Sequence, residues 1–277
     1  MLLTIDVGNT NTVLGGFDGE TLVRSWRVKT DARATADELA LLYRGLLEGA
    51  DPVHGIAACS TVPAVQRELR TTLSRYYADV PTIIVEPGVR TGVPLLVDNP
   101  HEVGADRIMN SLAAHHLYDG PTVIVDFGTS TNFDVVSARG EFLGGPLAPG
   151  IEISLDALAA RAARLLKVEL TRPRAVIGKN TVEALQSGMV YGFTDQVDGL
   201  VRRISAELGA EVTVVATGGL APLVVAESVT ITYHEPALTL LGLALVFAKN
   251  TPGAVAGESP RSPTGAAAGE SRSGPVT

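Results

Sequence analysis

The sequence contains few residues of several types, and each shortage excludes a class of protein. Its 277 residues include a single cysteine, Cys59, so neither an intrachain disulfide nor a zinc cluster built from thiolates is possible. Aromatic residues make up only 5% of the chain, and this aliphatic composition favours α/β layers with buried strands. No apolar run reaches the ~18 residues that a membrane span needs, and the N-terminus has no signal-peptide pattern. We therefore expect a cytoplasmic protein that does not enter a membrane.

Positive charge is also scarce. The formal net charge is −8 and no basic run is present, which argues against nucleic acid as a partner. The patterns GxxxxGK[ST] and GxGxxG and the protein-kinase signatures are absent, so P-loop, Rossmann and protein-kinase folds are not expected. Any phosphate site in this chain must therefore use backbone N–H groups, helix N-termini and a bound cation.

What the chain does contain is an alternation of strand and helix patterns that ends near Asn250. Strands are predicted over 2–6, 13–17, 22–28, 55–59, 82–85, 122–127, 133–138 and 212–216. Helices are predicted over 35–47, 63–77, 100–117, 152–166, 181–208 and 236–247. Thr35 and Glu38 have the spacing of a capping box at the start of the first helix. Residues 251–277 are rich in Pro, Gly, Ser and Ala, which predicts a disordered tail.

One short motif occurs twice. Asp6-Val7-Gly8 follows an apolar strand, and Asp126-Phe127-Gly128 follows another strand 120 residues later. Each copy leads into a further strand rather than into a helix. The repetition predicts a duplicated α/β domain, with one copy over residues 1–116 and the other over 117–250.

Both copies of the motif continue into a turn rich in hydroxyl and amide groups. Such a turn can wrap phosphate oxygens with backbone N–H groups and short polar side chains, although a plain β-hairpin turn has a similar composition. Two facing turns would hold a triphosphate from both sides, with Thr129, Ser130 and Thr131 as phosphate contacts and Asp126 as a cation ligand. A third turn, Gly218-Gly219 after a strand, allows adenine or ribose to approach the backbone, but glycine is also common in ordinary strand-to-helix turns.

The segment from Glu102 to Arg107 reads EVGADR and has two interpretations. Asp106 and Arg107 can be a surface ion pair near the start of a helix. Alternatively, Asp106 is a general base for a substrate hydroxyl and Arg107 binds a substrate carboxylate. Phosphoryl transfer requires little more than such a base and neutralised phosphates.

The motifs DVGNTNT, EVGADR, DFGTSTNFD, GGPLAPGI and TGG, in this order and spacing, resemble those of type III pantothenate kinases over residues 1–248. The resemblance implies two ribonuclease-H-like domains of the actin-like ATPase fold, with a central cleft. It implies phosphorylation of pantothenate by ATP, the first step of coenzyme A biosynthesis. It also implies a homodimer, a divalent cation such as Mg²⁺, and a monovalent cation, K⁺ or NH₄⁺.

The resemblance also implies roles for individual residues. Asp106 would accept the proton and Asp126 would bind the monovalent cation. Pantothenate would contact Gly104, Ala105, Arg107, Val97 and Thr181, with Thr181 supplied by the partner subunit. ATP would contact Asp6, Val7, Gly8, Asn9, Thr10, Asn11, Thr12, Val13, Thr129, Gly218 and Gly219.

The sequence departs from the family pattern at two positions. The family often has Tyr where this chain has Val97, which removes one possible hydrogen bond to the substrate, and Thr where Asn132 stands. Two other functions remain open on the sequence alone. One is an actin-like kinase with a different hydroxyl acceptor, and the other is a non-catalytic accessory protein that keeps the fold. Because Asp6, Asp106 and Asp126 are all present, the residues favour the kinase.

Overall fold

The computed structural model of the chain describes residues 1–161 and 168–251, and within these residues eleven strands form two sheets. The first sheet has the order β3-β2-β1-β4-β5. Its strands are β1 (Leu2–Val7), β2 (Asn11–Asp18), β3 (Thr21–Lys29), β4 (Gly55–Ser60) and β5 (Thr82–Ile84). Strands β1, β2 and β3 pair antiparallel, whereas β4 and β5 continue the sheet in parallel with β1.

The second sheet repeats this arrangement. Its strands are β6 (Thr122–Phe127), β7 (Ser130–Val136), β8 (Phe142–Gly144), β9 (Leu147–Pro149), β10 (Thr213–Thr217) and β11 (Tyr233–His234). The order is β11-β10-β6-β7-β8, and β9 also pairs with β7. The antiparallel hairpin β6-β7 corresponds to β1-β2, and the parallel neighbour β10 corresponds to β4. The two copies of the Asp-x-Gly motif therefore occupy equivalent places in two sheets of the same topology.

The described helices are α1 (Ala36–Leu46), α2 (Pro63–Tyr76), α3 (Ala105–Leu117), α4 (Ile151–Arg161), α5 (Thr181–Leu208), α6 (Ala221–Val225) and α7 (Leu238–Asn250). Helices α1 and α2 cover one face of the first sheet and α3 and α7 the other, whereas α4, α5 and α6 pack on the second sheet. Leu3, Ile5 and Val7 of β1 pack toward α1 and α2. Strand alternation turns Leu2 to the opposite face, where it joins the core of α3 and α7. Asp6 lies on the same face as Leu2, because every second side chain of a strand projects to the same side of the sheet.

Helices α3 and α7 lie against each other and contact both sheets. Their close approach depends on Gly242, because a Cβ atom there would collide with the backbone of Met109. Met109 and Leu243 belong to the core beside the first sheet, whereas Ala113 and Leu238 pack with strands of the second sheet. The two helices thus join the sheets into one body. The division of the chain into residues 1–116 and 117–250 stays a prediction.

Most predicted elements are present, with boundaries shifted by a few residues. The capping box of α1 is confirmed, because the side chains of Thr35 and Glu38 each bond to the other residue's backbone N–H. The prediction of one helix over 100–117 is wrong. A separate 3₁₀ turn, Pro100–Glu102, ends before α3 begins. The two are not continuous because Gly104 has an extended backbone with ψ 144°. The last helix was expected over 236–247 and runs from Leu238 to Asn250.

Two expectations concern residues outside the described part of the chain. The helix predicted over 152–166 is observed as α4, which is described as far as Arg161. Most of the tail predicted over 251–277 also lies outside the described residues. The short elements β8, β9, β11 and α6 were not predicted, because segments of two to five residues carry too little periodicity. Among the described helices, none has the length and hydropathy required to cross a bilayer.

Candidate active site

A cleft of about 530 Å³ lies between the two sheets, where the carboxyl ends of β1, β6 and β10 meet. Ligands bind at such strand ends in α/β folds because the loops that follow the strands converge there. The cleft collects most of the residues predicted to bind ATP. Those that line it are Asp6, Gly8, Asn9, Thr10, Asn11, Val13, Thr129, Gly218 and Gly219.

The first turn joins β1 to β2 and is closed by a hydrogen bond from Gly8 N–H to the Asn11 carbonyl, at 3.0 Å. Val7 and Thr12, also predicted to contact ATP, are buried and do not line the cleft. The Thr12 hydroxyl instead lies 2.9 Å from that of Thr30, which donates to the Gly8 carbonyl at 2.8 Å. These two hydroxyl groups stabilise the turn on the side away from the cleft. The backbone on its other side faces the cleft.

The second turn joins β6 to β7 and has a similar closure that is one residue shorter, since Gly128 N–H donates to the Ser130 carbonyl at 3.0 Å. Ser130 Oγ donates to Asn132 Oδ1 at 2.8 Å, so the asparagine that departs from the family pattern helps to hold this turn. The two turns face each other directly. Thr10 Oγ1 and Thr129 Oγ1 are 3.4 Å apart across the cleft. A phosphate chain in this space would meet backbone and hydroxyl groups from both sheets.

Three carboxyl groups, those of Asp6, Asp106 and Asp126, line the floor of the cleft. Burial raises the pKa of Asp6 to about 7, and the charges of Asp106 and Asp126 add to the rise. Burial also raises the pKa of Asp126 to about 6, again with a contribution from Asp106. Burial raises the pKa of Asp106, and part of this rise is offset by N–H groups at the start of α3 and by the charge of Arg107. Mutually repelling buried carboxylates are favourable surroundings for a cation.

Asp126 has a further set of neighbours that sequence reasoning missed. Asn110 of α3 donates from Nδ2 to Asp126 Oδ2 at 3.4 Å, and Thr239 of α7 donates to Asn110 Oδ1 at 2.7 Å. Gly218 has φ 91°, and a Cβ atom there would lie 2.6 Å from both Asp126 Oδ1 and the Phe127 carbonyl oxygen. The third turn therefore packs directly onto the carboxylate. Carboxylate and carbonyl oxygens at this point suit a hard cation. Among the described residues, however, no three acidic, histidine or cysteine side chains form a complete metal site.

Helix α3 brings Asp106 to the cleft and turns Arg107 away from it. The Asp106 carboxylate lies over Gly104, where a larger residue would collide with it. Arg107 is 18% exposed and pairs with the fully buried Asp134 of β7, which the sequence analysis did not single out. Its guanidinium also lies over the ring of Phe142, 5.2 Å from the centroid. The interpretation of Asp106 and Arg107 as a surface ion pair is therefore wrong, because Arg107 pairs with the buried Asp134 and neither residue is exposed.

The remaining residues predicted to bind the substrate lie at different distances from the cleft. Gly104 caps the N-terminus of α3 and Ala105 is its first residue, so both adjoin Asp106. Val97 Cγ1 would be 3.5 Å from a Cβ atom on Gly144, in the strand that also carries Phe142. Val97 and Arg107 thus both adjoin β8. Thr181 is exposed at the first position of α5 and does not line the cleft within this chain.

Several residues that line the cleft were not predicted: Arg27, Thr61, Glu152, Ile153, Asp156, Thr239 and Leu240. Apart from Arg27 they carry no local motif: Thr61 follows β4, and only the packing of α4 and α7 brings the helix residues among them to the cleft. Arg27 could have been found from strand pairing, because it lies opposite Val13 on the neighbouring strand.

Two sheets of equal topology, opposed hydroxyl-rich turns and a buried carboxylate at a helix start define a nucleotide-dependent phosphotransferase of the actin-like fold. Solved structures support the fold. The activator of 2-hydroxyisocaproyl-CoA dehydratase from Clostridium difficile, with bound ADPNP, matches 94% of this chain and 99% of its own, with a TM-score of 0.53 and 14% identity. The ROK hexokinase from Thermus thermophilus matches 91% and 99%, with a TM-score of 0.50 and 16% identity.

Sequence comparison gives the family. The model of a protein family described as "Type III pantothenate kinase" matches residues 2–203 of this chain. The type III pantothenate kinase of Frankia alni is 72% identical over 250 residues, which cover 90% of this chain and all of the relative. That of a Parafrankia species is 70% identical over 251 residues, or 91% of this chain and 99% of the relative. The chain belongs to the type III pantothenate kinase family.

Proposed function

We propose that this protein transfers the γ-phosphoryl group of ATP to the primary hydroxyl of pantothenate, which yields 4'-phosphopantothenate and ADP in the first step of coenzyme A biosynthesis. One observation carries the proposal. The Asp106 carboxylate lies in the same cleft as the two opposed turns, whose hydroxyl groups at Thr10 and Thr129 are 3.4 Å apart. A proton acceptor and a triphosphate site are thereby brought together, as phosphoryl transfer requires.

In this reaction the substrate hydroxyl oxygen attacks the γ-phosphorus, the bond to the β,γ-bridging oxygen breaks, and ADP leaves. Asp106 takes the hydroxyl proton, for which its raised pKa is suited, because a more basic carboxylate accepts a proton more readily. The two turns hold the phosphates in line and limit the access of water. These tasks are mainly positioning and charge stabilisation, which provide most of the catalysis in phosphoryl transfer.

Arg107 is proposed to bind the carboxylate of pantothenate. Its Nε donates to Asp134, but its buried Nη2 atom has no hydrogen-bond partner among the described residues. A buried donor without a partner costs free energy, and a substrate carboxylate would remove that cost. Gly104, Ala105 and Val97 would form the adjoining wall of the substrate site. The Asp134 contact keeps the guanidinium in place before substrate arrives.

Cations are part of the proposal. Asp126, backed by Asn110 and the Gly218 turn, would hold the monovalent cation K⁺ or NH₄⁺. Mg²⁺ would be held mainly by the phosphates and by water near Asp6, since the carboxylates alone do not complete a metal site in the described part of the chain. When bound, these cations would supply positive charge against the phosphates.

A homodimer is also proposed, with Thr181 completing the substrate site of the partner subunit. Thr181 is exposed and lies outside the cleft of its own chain. Large apolar side chains around it are exposed as well, namely Val176 at 68%, Ile177 at 73% and Val182 at 47%. Apolar surface of this kind is typical of contacts between protein chains. We place the enzyme in the cytoplasm, in keeping with its one free, buried thiol, Cys59.

A coupled assay of ADP release, with and without pantothenate, tests the proposed function. We expect ATP consumption to depend on pantothenate and mass spectrometry to detect one added phosphoryl group on the acceptor. A panel of other small alcohols is the control for acceptor identity. Turnover with another alcohol but not with pantothenate would contradict the proposed substrate. Nucleotide binding without any turnover would instead indicate a non-catalytic accessory protein.

A further inference from the structure

The charges that line the cleft are unevenly distributed. Of the ionisable side chains on its wall, five are acidic: Asp6, Asp106, Asp126, Glu152 and Asp156. Among the described residues that line the cleft, Arg27 is the single lysine or arginine. A nucleoside triphosphate brings about four further negative charges at neutral pH. Bound metal ions would neutralise part of this charge, but a fixed cation on the protein would add orientation as well as charge.

Arg27 is held in the cleft wall by the register of the first sheet. It lies opposite Val13 on β2, and Val13 lies opposite Asp6 on β1. Residues directly opposite each other in antiparallel strands project to the same face. Arg27, Val13 and Asp6 therefore form one row across three strands, on the face that opens into the cleft. The position of Arg27 follows from backbone pairing and not from a surface loop.

The side chain of Arg27 also reaches the second sheet. Its Nη1 atom lies 2.9 Å from the site that a Cβ atom on Gly219 would occupy, and its Cζ atom lies 3.9 Å from that site. Gly219 belongs to the third turn, which follows β10. The guanidinium thus crosses from the wall of one sheet to a glycine turn of the other, and its charge acts on the Asp6 carboxyl beside the phosphate turn.

No described residue fixes this guanidinium by a hydrogen bond or a salt bridge, and Arg27 remains more than a third exposed. Arg107 offers a contrast, since it is held by Asp134. A guanidinium that faces a cleft with its five N–H donors unused is ready to bind an anionic ligand. Its planar fork matches two oxygens of a phosphate group.

We propose that Arg27 is a nucleotide-binding residue of this enzyme, whose guanidinium binds a phosphate oxygen of ATP between the first turn and the Gly219 turn. The inference rests on the proposed ATP-dependent function and extends it by one residue. Without Arg27, bound metal ions would be the source of positive charge in the acidic cleft. Arg27 would add a positive charge that belongs to the protein itself. It would also link the two sheets through the bound nucleotide.

Isothermal titration calorimetry with a non-hydrolysable ATP analogue and Mg²⁺, in the absence of pantothenate, tests this proposal. We expect Arg27→Met to weaken binding of the analogue by about tenfold, the effect of losing one charge-assisted hydrogen bond in a partly solvated site. Arg27→Lys should recover part of the affinity, because it keeps the charge but loses the fork. Arg24→Met is the matched control. Arg24 is on the same strand, exposed and outside the cleft, and its removal should leave binding unchanged.

Adenosine titrations separate a phosphate contact from a structural role. Arg27→Met should leave adenosine binding within about twofold of wild type, and a parallel loss for adenosine and the ATP analogue would overturn the proposal. Equal affinity of Arg27→Met and wild type for the analogue would overturn it as well. A wild-type protein that binds no analogue would contradict the proposed function itself. Binding of the analogue with no turnover of pantothenate would contradict the substrate but not the role of Arg27.

Discussion

Arg107 Nε donates a hydrogen bond to Asp134 Oδ1 at 2.6 Å, and the Asp134 side chain has no exposure to solvent. The two residues are 27 positions apart, on helix α3 and strand β7. Burial raises the pKa of Asp134 to about 7, although the Arg107 charge pulls it down. This ion pair therefore holds Arg107, the neighbour of the proposed base Asp106, in place. The charged form of the buried Asp134 carboxylate is in turn stabilised by Arg107.

Replacing Arg107 should destabilise the protein in a pH-dependent way. In Arg107→Met, Asp134 loses its counter-charge, and its folded-state pKa rises further above the unfolded value of about 3.9. A raised folded pKa gives stability that is present at low pH and is lost as pH rises. We expect a loss of about 3–5 kcal/mol at pH 8 and a smaller loss at pH 5, measured by thermal unfolding.

The double variant Arg107→Met/Asp134→Asn is the control for this pair. It removes the buried charge, so its melting temperature should depend less on pH than that of Arg107→Met. Its activity should stay low, because the proposed carboxylate-binding group is still missing. An equal loss of stability for Arg107→Met at both pH values would contradict a buried charge pair.

Asp106→Asn tests the proposed proton acceptor. We expect kcat to fall by roughly 10²–10⁴, the usual contribution of general base catalysis, with ATP affinity changed little. The melting temperature should not fall, because the raised pKa of Asp106 shows that its charged form is unfavourable in the fold. Asp98→Asn, which changes an exposed carboxylate eight positions earlier in the chain, is the matched control. Turnover within a few-fold of wild type would refute the role of Asp106.

Asp6→Asn should stabilise the free protein while it reduces activity. The pKa of Asp6 is about 7 in the fold and about 3.9 in the unfolded chain, so the charged carboxylate lowers stability as pH rises through this window. Removing the charge should raise the free energy of unfolding by about 1–3 kcal/mol at pH 8 and by almost nothing near pH 4. Denaturant titrations at both pH values measure this, with the exposed Asp18→Asn as control. A destabilised Asp6→Asn at pH 8 would contradict repulsion in the cleft.

The monovalent cation proposed at Asp126 is tested by exchanging salts. Turnover should be several-fold higher in potassium than in sodium buffer of equal ionic strength, because a site of one carboxylate and carbonyl oxygens suits a large, weakly hydrated cation. Asp126→Asn should remove the difference between the two salts as well as most of the activity. Equal turnover of the wild-type enzyme in sodium and in potassium would show that the role given to Asp126 is wrong.

The sequence by itself determined much of this protein. The repeated Asp-x-Gly motif predicted two equivalent strand-turn-strand units, and these are the hairpins β1-β2 and β6-β7. The long helical period over 181–208 predicted α5 with both of its ends. These features depend on local periodicity and turn chemistry, which act over a few residues and are visible in the chain.

Only the tertiary structure decided which distant groups meet. Asp134 and Arg27 carry no motif, yet one is buried against Arg107 and the other reaches the Gly219 turn. The break at Gly104 was missed, since a helical pattern does not show where the backbone must turn to bring Asp106 over the cleft. Such contacts depend on strand register and on the packing of α3 and α7 between two sheets. These are set by the whole core and not by neighbouring residues in the sequence.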